Sequence, residues 1–382
     1  MSFLGRIHKA LVYGAGPKDP APVRIGILGC ANIAPMACIG PMSHLPGGTA
    51  HAVAARDVQR ARAFAAKHRI PVVHASYDQL LADPDVDAVF IPLPNGLHHV
   101  WAIKAIEHGK HVLCEKPLTD TAEQARAIQA ALQAHAHAHP DRPLVFAEAF
   151  HYKMHPATHF VLDVVRGSVD GWQLGRIESV DTLFSLPNAA TPDSDIRLNF
   201  ALGGGATMDA GSYAVSMSRL IAQTAAGTAD LDASTPIVES AHMRPWDKDP
   251  KIDMAMEAKL VYPSGIRSTV SSAFRAGIIS FKAELAIVAE HGKLTFSNFI
   301  APFAFHSVEL AKKDGTRLSK KVYGDEGQTT YYYQMRAFLN AIRNDPASAA
   351  SSPVSLTTIV DSIINMQTID SIYRAAGFPL RP

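Results

Sequence analysis

Over its first 150 residues the chain alternates short apolar runs with longer amphipathic stretches. Residues 23–28, Val-Arg-Ile-Gly-Ile-Leu, make a branched apolar run of strand length. Further strands are expected at 49–54, 72–73, 86–93, 111–114 and 144–147. Helical spacing fills the intervals, after residue 34 and at 58–68, 77–82, 98–107 and 123–135. Strands alternating with helices predict βαβ units. The expected fold of residues 23–149 is therefore an α/β Rossmann domain with a doubly wound parallel sheet.

From residue 177 the texture changes. Strand-length runs at 177–185, 235–243, 254–262, 267–272 and 282–289 are joined by short connections such as Pro263-Ser264-Gly265 and His291-Gly292. This predicts an α+β domain over 150–382, with a large, open-faced, mainly antiparallel sheet. Helices at 330–343 and 354–375 close the chain, and Tyr331-Tyr332-Tyr333 with Phe338 fits helix packing. An open sheet needs a cover, which a homodimer through the C-terminal sheet would supply. Residues 1–22 read as an N-terminal arm, mildly amphipathic and then Pro-rich, without the continuous apolar core of a secretory signal.

Composition narrows the function. A formal net charge of +1 over 382 residues removes the electrostatic footprint of a nucleic-acid binder. No run approaches the ~20 apolar residues of a membrane span. Three cysteines (Cys30, Cys38, Cys114) are too few for a disulfide framework, so a cytoplasmic protein is expected. His135, His137 and His139 lie at a polar helix end before Pro140 without acidic or Cys companions. They read as a solvated terminus, and no metal site is expected.

The candidate chemistry clusters at strand ends. Gly29-Cys30-Ala31-Asn32-Ile33-Ala34 follows the first strand and occupies the G-x-G-x-x-G/A slot, with alanine at its second and third positions. Gly29 would make the tight turn, and the backbone through Ala31, Asn32 and Ile33 would approach a pyrophosphate; an ordinary βα turn is the competing reading. The second strand ends in Ala54-Ala55-Arg56-Asp57. With no carboxylate at the tip and Arg56 beside it, a 2′-phosphate is favoured, hence NADP over NAD. Asp57 reads as the N-cap of the next helix. Pro94-Asn95 sits at another strand end, where an amide can meet ribose or carboxamide.

Cys114-Glu115-Lys116-Pro117 puts a lysine at the carboxyl end of a buried strand, where open α/β sheets bind ligands. A partly buried lysine can move a proton or hold a reacting hydroxyl; a solvated Lys-Pro turn is the alternative. The proline permits a cis bond at that point. Three glycines precede Ala206-Thr207-Met208-Asp209-Ala210-Gly211-Ser212-Tyr213. Asp209 and Tyr213, four apart, share a helix face and suit sugar hydroxyls and proton transfer; Asp209 as an N-cap with Tyr213 half-buried in the core is the competing reading.

Taken together these segments resemble the Gfo/Idh/MocA oxidoreductase family. The likeness adds Pro94-Asn95-x-x-His98, Glu148-Ala149-Phe150-x-Tyr152-x-x-His155-Pro156 and Asp195-Ile196-Arg197, and spans most of 23–377. It is nearest the branch of NADP-dependent D-xylose 1-dehydrogenases and dimeric dihydrodiol dehydrogenases. The resemblance implies Lys116 and Tyr213 as the catalytic pair. It adds Asp209, Phe150, Tyr152 and Asn199 on the substrate side, with His98, Glu115 and Lys116 joining the cofactor-binding residues. It also implies hydride transfer between C1 of an aldose and the nicotinamide, giving a lactone, with Tyr213 made more acidic by Lys116. Many relatives carry Met-Tyr-Arg where this chain has His151-Tyr152-Lys153, which bears on the sugar preferred. A diol or keto-sugar substrate, or a non-catalytic dinucleotide sensor on the same fold, are the competing functions.

Overall fold

The computed structural model describes residues 5–7, 16–228, 230–277, 281–324, 327–344 and 356–382. The chain forms two compact units, whose described residues fall within 1–118, 123–155 and 325–359 for the first and 119–122, 156–324 and 360–382 for the second. Apart from residues 5–7, the first fifteen positions of the expected arm lie outside the described residues.

The first unit carries a six-stranded sheet of β1 (Val23–Leu28), β2 (Gly48–Ala54), β3 (Val72–His74), β4 (Ala88–Ile91), β5 (His111–Cys114) and β6 (Phe146–Glu148). Its strand order is β3-β2-β1-β4-β5-β6, and every pairing is parallel. That order reverses direction at β1 and β4, so the crevice outside their carboxyl ends is where such a sheet takes a ligand. The fully buried Ile27, Phe90 and Leu113 show why the runs are continuously apolar, since both sheet faces are covered. β4 is shorter than the expected 86–93 because Pro92 cannot donate to the ladder.

A single boundary near residue 149 does not describe this unit. The helix Thr330–Ile342, capped by the Thr329 side chain on Tyr332 N, returns to it and buries Met335, Phe338 and Leu339 in the same core as Ile25, Ile27 and Val53. Gly48 makes room for it, since a Cβ there would lie 2.8 Å from the Leu339 side chain. The other closing helix, expected over 354–375, starts later, at Ile359, and runs to Ala375, with residues 356–358 non-helical before it.

The second unit is built on an eight-stranded sheet. Its strands are β7 (Ile177–Ser185), β8 (Ile237–Pro245), β9 (Asp253–Val261), β10 (Arg267–Ala273), β11 (Lys282–Ala289), β12 (Gly292–Ser297), β13 (Ser307–Lys312) and β14 (Arg317–Lys320). They lie in the order β14-β13-β12-β11-β7-β10-β9-β8, antiparallel except where β7 meets β10. β12 to β14 go beyond the strands expected from sequence: they are short, and their alternation is half polar. The helix Pro156–Val165 was likewise not anticipated, although Pro156 suits a first helical turn.

One face of this sheet is packed. Met256, Ala258, Leu260 and Val270 meet Met208, Ala214 and Val215 from one side of the chain and Met366, Ile369 and Ile372 from another. Alternate residues of β9, Glu257 and Lys259, are exposed on the opposite face. Burial on one side and exposure on the other give the period-two pattern read from the sequence.

Candidate active site

Gly29 closes the end of β1. Its backbone is left-handed (φ 103°), its N–H donates to Ala54 O at 2.7 Å, and a Cβ would lie 3.0 Å from Leu93 Cδ2. Only glycine takes that turn without strain. Ala31 and Ile33 are half-buried and Asn32 is exposed along the crest that follows. Ala34 is fully buried, as the third position of the fingerprint requires for close helix packing. A π-helical turn, Pro35–Ile39, begins directly after it.

Beyond β2, Asp57 accepts from the backbone N–H groups of Gln59 at 2.8 Å and Arg60 at 3.3 Å. Its carboxylate caps the helix Val58–His68, as expected, and leaves the strand tip to Arg56. The structure adds Arg60, which sequence reading did not single out. Its Nη2 donates to Cys30 O at 3.0 Å, which ties the helix to the glycine turn. Burial pushes the Tyr77 phenol up, while the Arg56 and Arg60 cations pull it down, so both guanidinium groups lie in the field of one side chain beside Gly29. Arg56 and Arg60 are both exposed. The signal available in sequence was the Arg-Asp-x-x-Arg spacing at the start of a capped helix.

β4 leads into Pro94 and the 3-10 turn Asn95–Leu97, where Asn95 is half-buried. β5 delivers Glu115, 8% exposed, and the half-buried Lys116; the Lys116–Pro117 peptide is cis. The loop that carries Lys116 is pinned from two sides. Glu148 Oε1 accepts from Leu118 N at 2.8 Å. His98, fully buried, places Nδ1 2.9 Å from Pro117 O and Nε2 2.7 Å from Leu93 O. Burial, with the Lys116 cation adding to it, holds this imidazole down at about 4. The ring is therefore neutral at pH 7, and its single N–H is contested by two carbonyls. His98 thus joins the Pro94 loop to the Lys116 loop from behind.

Phe150 and Tyr152 are buried, with rings 6.2 Å apart edge to face. The departure at 151–153 is packed as well. His151 meets Thr330 Oγ1 at 2.8 Å and its ring lies 4.1 Å from that of Tyr331. Burial, reinforced by Lys116, brings its pKa to about 3. Lys153 sits 5.4 Å over the Phe150 ring.

In the second unit the glycine run forms a tight knot. Gly203 and Gly205 have φ of 74° and 136°, and Gly205 N donates to Arg197 O at 2.8 Å. A π-helical turn, Thr207–Gly211, carries Asp209 and passes into the α-helix Ser212–Ala226, whose second residue is Tyr213. Wide turns of this kind recur where a helix presents functional side chains. The Asp209 carboxylate lies 3.3 Å from Arg197 Nη1, and Arg197 also binds both Asp195 oxygens at 2.9 Å. Burial opposes the Asp195 charge, but the Arg197 hydrogen bonds hold its carboxyl below the usual range. Asp209 is therefore an ion-paired acceptor. Tyr213 is 5% exposed, and its ring meets Phe184 edge to face at 5.7 Å. Asn199 is exposed and lines an open cavity of about 500 Å³ with Asp195, Phe200, Trp246 and Lys251.

Residues 23–138 match the family model for an oxidoreductase family with an NAD-binding Rossmann fold, and residues 164–295 match the GFO/IDH/MocA C-terminal domain. The chain is 32% identical over 353 residues to D-xylose 1-dehydrogenase (NADP(+)) 2 of Haloferax volcanii, covering 92% of this chain and 96% of that one. It is 39% identical over 199 residues to dTDP-3,4-didehydro-2,6-dideoxy-alpha-D-glucose 3-reductase of Saccharopolyspora spinosa, about half of each chain (52% and 55%). Among solved structures, the 3-ketoreductase KijD10 of Actinomadura kijaniata, in complex with NADP and TDP-benzene, superposes with a TM-score of 0.76. It is 25% identical, and the match covers 93% of this chain and 98% of that one.

Proposed function

The chain belongs to the Gfo/Idh/MocA oxidoreductase family, and from that we propose an NADP-dependent sugar oxidoreductase that acts at C1 of an aldose like D-xylose. The observation that carries this reading is Lys116, held in a pinned loop at the carboxyl end of β5, in a chain similar along most of its length to a D-xylose 1-dehydrogenase.

The fit to the dinucleotide rests on residues in hand. Gly29 makes the left-handed turn that brings the backbone of 30–33 to the strand end where a pyrophosphate would lie, and Arg56 with Arg60 offers two exposed guanidinium groups for a 2′-phosphate. Pro94, Asn95 and Glu115 would serve its ribose and nicotinamide side. The bound nicotinamide supplies the hydride acceptor or donor. The protein's part is to move the proton. In this reading Tyr213 takes the anomeric hydroxyl proton as the C1–H bond is lost to the nicotinamide, Lys116 supplies positive charge, and the pyranose becomes a lactone. Asp209, fixed by Arg197, accepts a neighbouring sugar hydroxyl. Phe150, Tyr152 and Asn199 complete the substrate side.

A second reading within the same chemistry is reduction of a keto-sugar, favoured by the 39% identity to a dTDP-sugar 3-reductase over half the chain. One panel separates them: NADP reduction with D-xylose, D-glucose and a trans-dihydrodiol, against NADPH oxidation with keto-sugars and dicarbonyls. The expected result is fast, NADP-dependent pentose oxidation. Arg60→Ala is expected to cut the preference for NADP over NAD by about tenfold or more, the worth of a lost charge-assisted contact. Binding of NADPH with no turnover anywhere in the panel would leave the dinucleotide sensor.

We further propose a homodimer that covers the open face of the second unit's sheet, where Glu257, Lys259 and Glu284 alternate with buried neighbours. Sedimentation at micromolar concentration is expected to give twice the 41.1 kDa chain mass, and a monomer there would reject it. A cytoplasmic setting is supported by three buried free cysteines. Among the described residues no helix is long and apolar enough to cross a membrane.

A further inference from the structure

Asp253, the first residue of β9, is wholly buried and collects hydrogen bonds from four donor groups. Its Oδ2 accepts from Thr207 N at 2.7 Å and Thr207 Oγ1 at 2.6 Å. Its Oδ1 accepts from Tyr373 Oη at 2.9 Å and from Arg381 Nη2 at 2.5 Å. Arg381 Nε then donates to Gly204 O at 2.6 Å, and its guanidinium lies 4.3 Å from the centroid of the Tyr373 ring. The side chains of Asp253 and Arg381 are both 0% exposed.

Through Thr207 and through Arg381 on Gly204 O, this cluster holds one short stretch at two points. Gly204 and Thr207 bracket the knot from which the π-helical turn Thr207–Gly211 starts; Asp209 lies within that turn and Tyr213 two residues after it. A buried ion pair contributes little net stability over a well-packed apolar pair of the same volume, because desolvation offsets the attraction. A carboxylate with its acceptor sites filled does fix direction, since each donor constrains the others.

We infer that Asp253 is the positioning residue for the turn that presents Asp209 and Tyr213, with Arg381 as its counter-ion and Thr207 and Tyr373 as its contacts. This rests on the proposed use of Asp209 and Tyr213. Asp253 touches no reacting atom; it acts by setting the start of the turn.

Mild variants test it without breaking the ion pair. Thr207→Val removes one hydroxyl donor, Thr207→Ser keeps it, and Tyr373→Phe removes another. The expected result for Thr207→Val is a kcat about tenfold to a hundredfold lower, the scale set by sub-ångström misplacement of a reacting group. NADPH affinity should stay within about twofold, because the dinucleotide residues lie in the other unit, and Thr207→Ser should restore most of kcat. Tyr373→Phe should fall in between. Amide hydrogen exchange across 205–213 should quicken in Thr207→Val while the middle of the helix Ser212–Ala226 keeps its protection.

The exchange measurement is independent of which substrate is turned over. Faster exchange in a protein that oxidises no sugar keeps the positioning role and rejects the sugar reading. Unchanged exchange and unchanged kcat in Thr207→Val, with an active wild type, overturns the positioning role alone. A kcat loss that tracks the folded fraction and is not restored by serine overturns it as well.

Discussion

Lys116→Ala is expected to lower kcat/KM for the sugar by about 10²–10⁴, the scale of a positioned group in the proton transfer, with a much smaller loss of NADPH affinity. The loop should survive the substitution. Its shape depends on His98 against Pro117 O and on Glu148 against Leu118 N, neither of which involves the lysine ammonium. Lys116→Arg should be nearly as inactive, because a guanidinium spreads its charge over a wider, rigid fork and cannot replace a compact ammonium at that point. Tyr213→Phe distinguishes the two roles. If the phenol carries the proton, its loss costs as much as that of the lysine, and the double variant is no worse than either single one. If the lysine carries it, Tyr213→Phe retains most of kcat and raises KM. Single-turnover NADPH formation, followed beside a fluorescence titration of NADPH, reads both quantities. A Lys116→Ala protein that keeps more than about a tenth of wild-type turnover on the best substrate would remove the lysine from the chemistry.

How far the sequence reached can be traced residue by residue. Local signals were legible. The Asp57 cap and the helix Val58–His68 were expected at their observed ends, because an N-cap side chain and its first-turn donors are neighbours in the chain. The Gly29 turn was legible for the same reason: a branched strand followed by glycine names its own bend. The type of the helix Thr330–Ile342 was visible, but not its place. Nothing in Tyr331, Met335 or Phe338 says which of two apolar cores will bury them, and they joined the core of β1 and β2. Arg60 was missed because its meeting with Cys30 O depends on one helical turn being laid over a loop 30 residues earlier. His98 was expected at the cofactor and lies behind the lysine loop, between two carbonyls that carry no sequence signature.

The site in the second unit shows the same limit more sharply. Asp209 and Tyr213 were paired by their four-residue spacing, which places them near one face in an α-helix and also across the wider π-helical turn that is present. Pattern cannot separate those two geometries. Asp253 and Arg381 stand 128 residues apart, and neither is remarkable in its own neighbourhood. A buried charge is improbable at any one position, so only the fold reveals the partner that makes it tolerable.

Gly205→Ala is expected to destabilise the second unit strongly. The backbone there has φ 136°, a region that L side chains rarely enter, at a cost of about 1–3 kcal/mol. The methyl has nowhere to go. It would lie 2.2 Å from Asp253 Oδ1 and 2.3 Å from Arg381 Nη2. Neither group can swing aside cheaply, since Asp253 is held by Thr207 and Tyr373, and Arg381 by Gly204 O. Parting a buried pair costs about 3–5 kcal/mol, so the sum is about 4 kcal/mol or more, a large share of a domain's 5–15 kcal/mol. The transition of the second unit should therefore fall to much lower denaturant, while NADPH binding to the first persists. Gly227→Ala is the control. It too is left-handed (φ 64°), at the end of the helix Ser212–Ala226, but nothing lies within 4 Å of its added methyl. It should lose only about 1 kcal/mol. Denaturant melts of the two variants beside wild type give the difference directly. Equal losses would mean that backbone conformation alone sets the cost, and that the ion pair yields to the methyl instead of holding the turn against it.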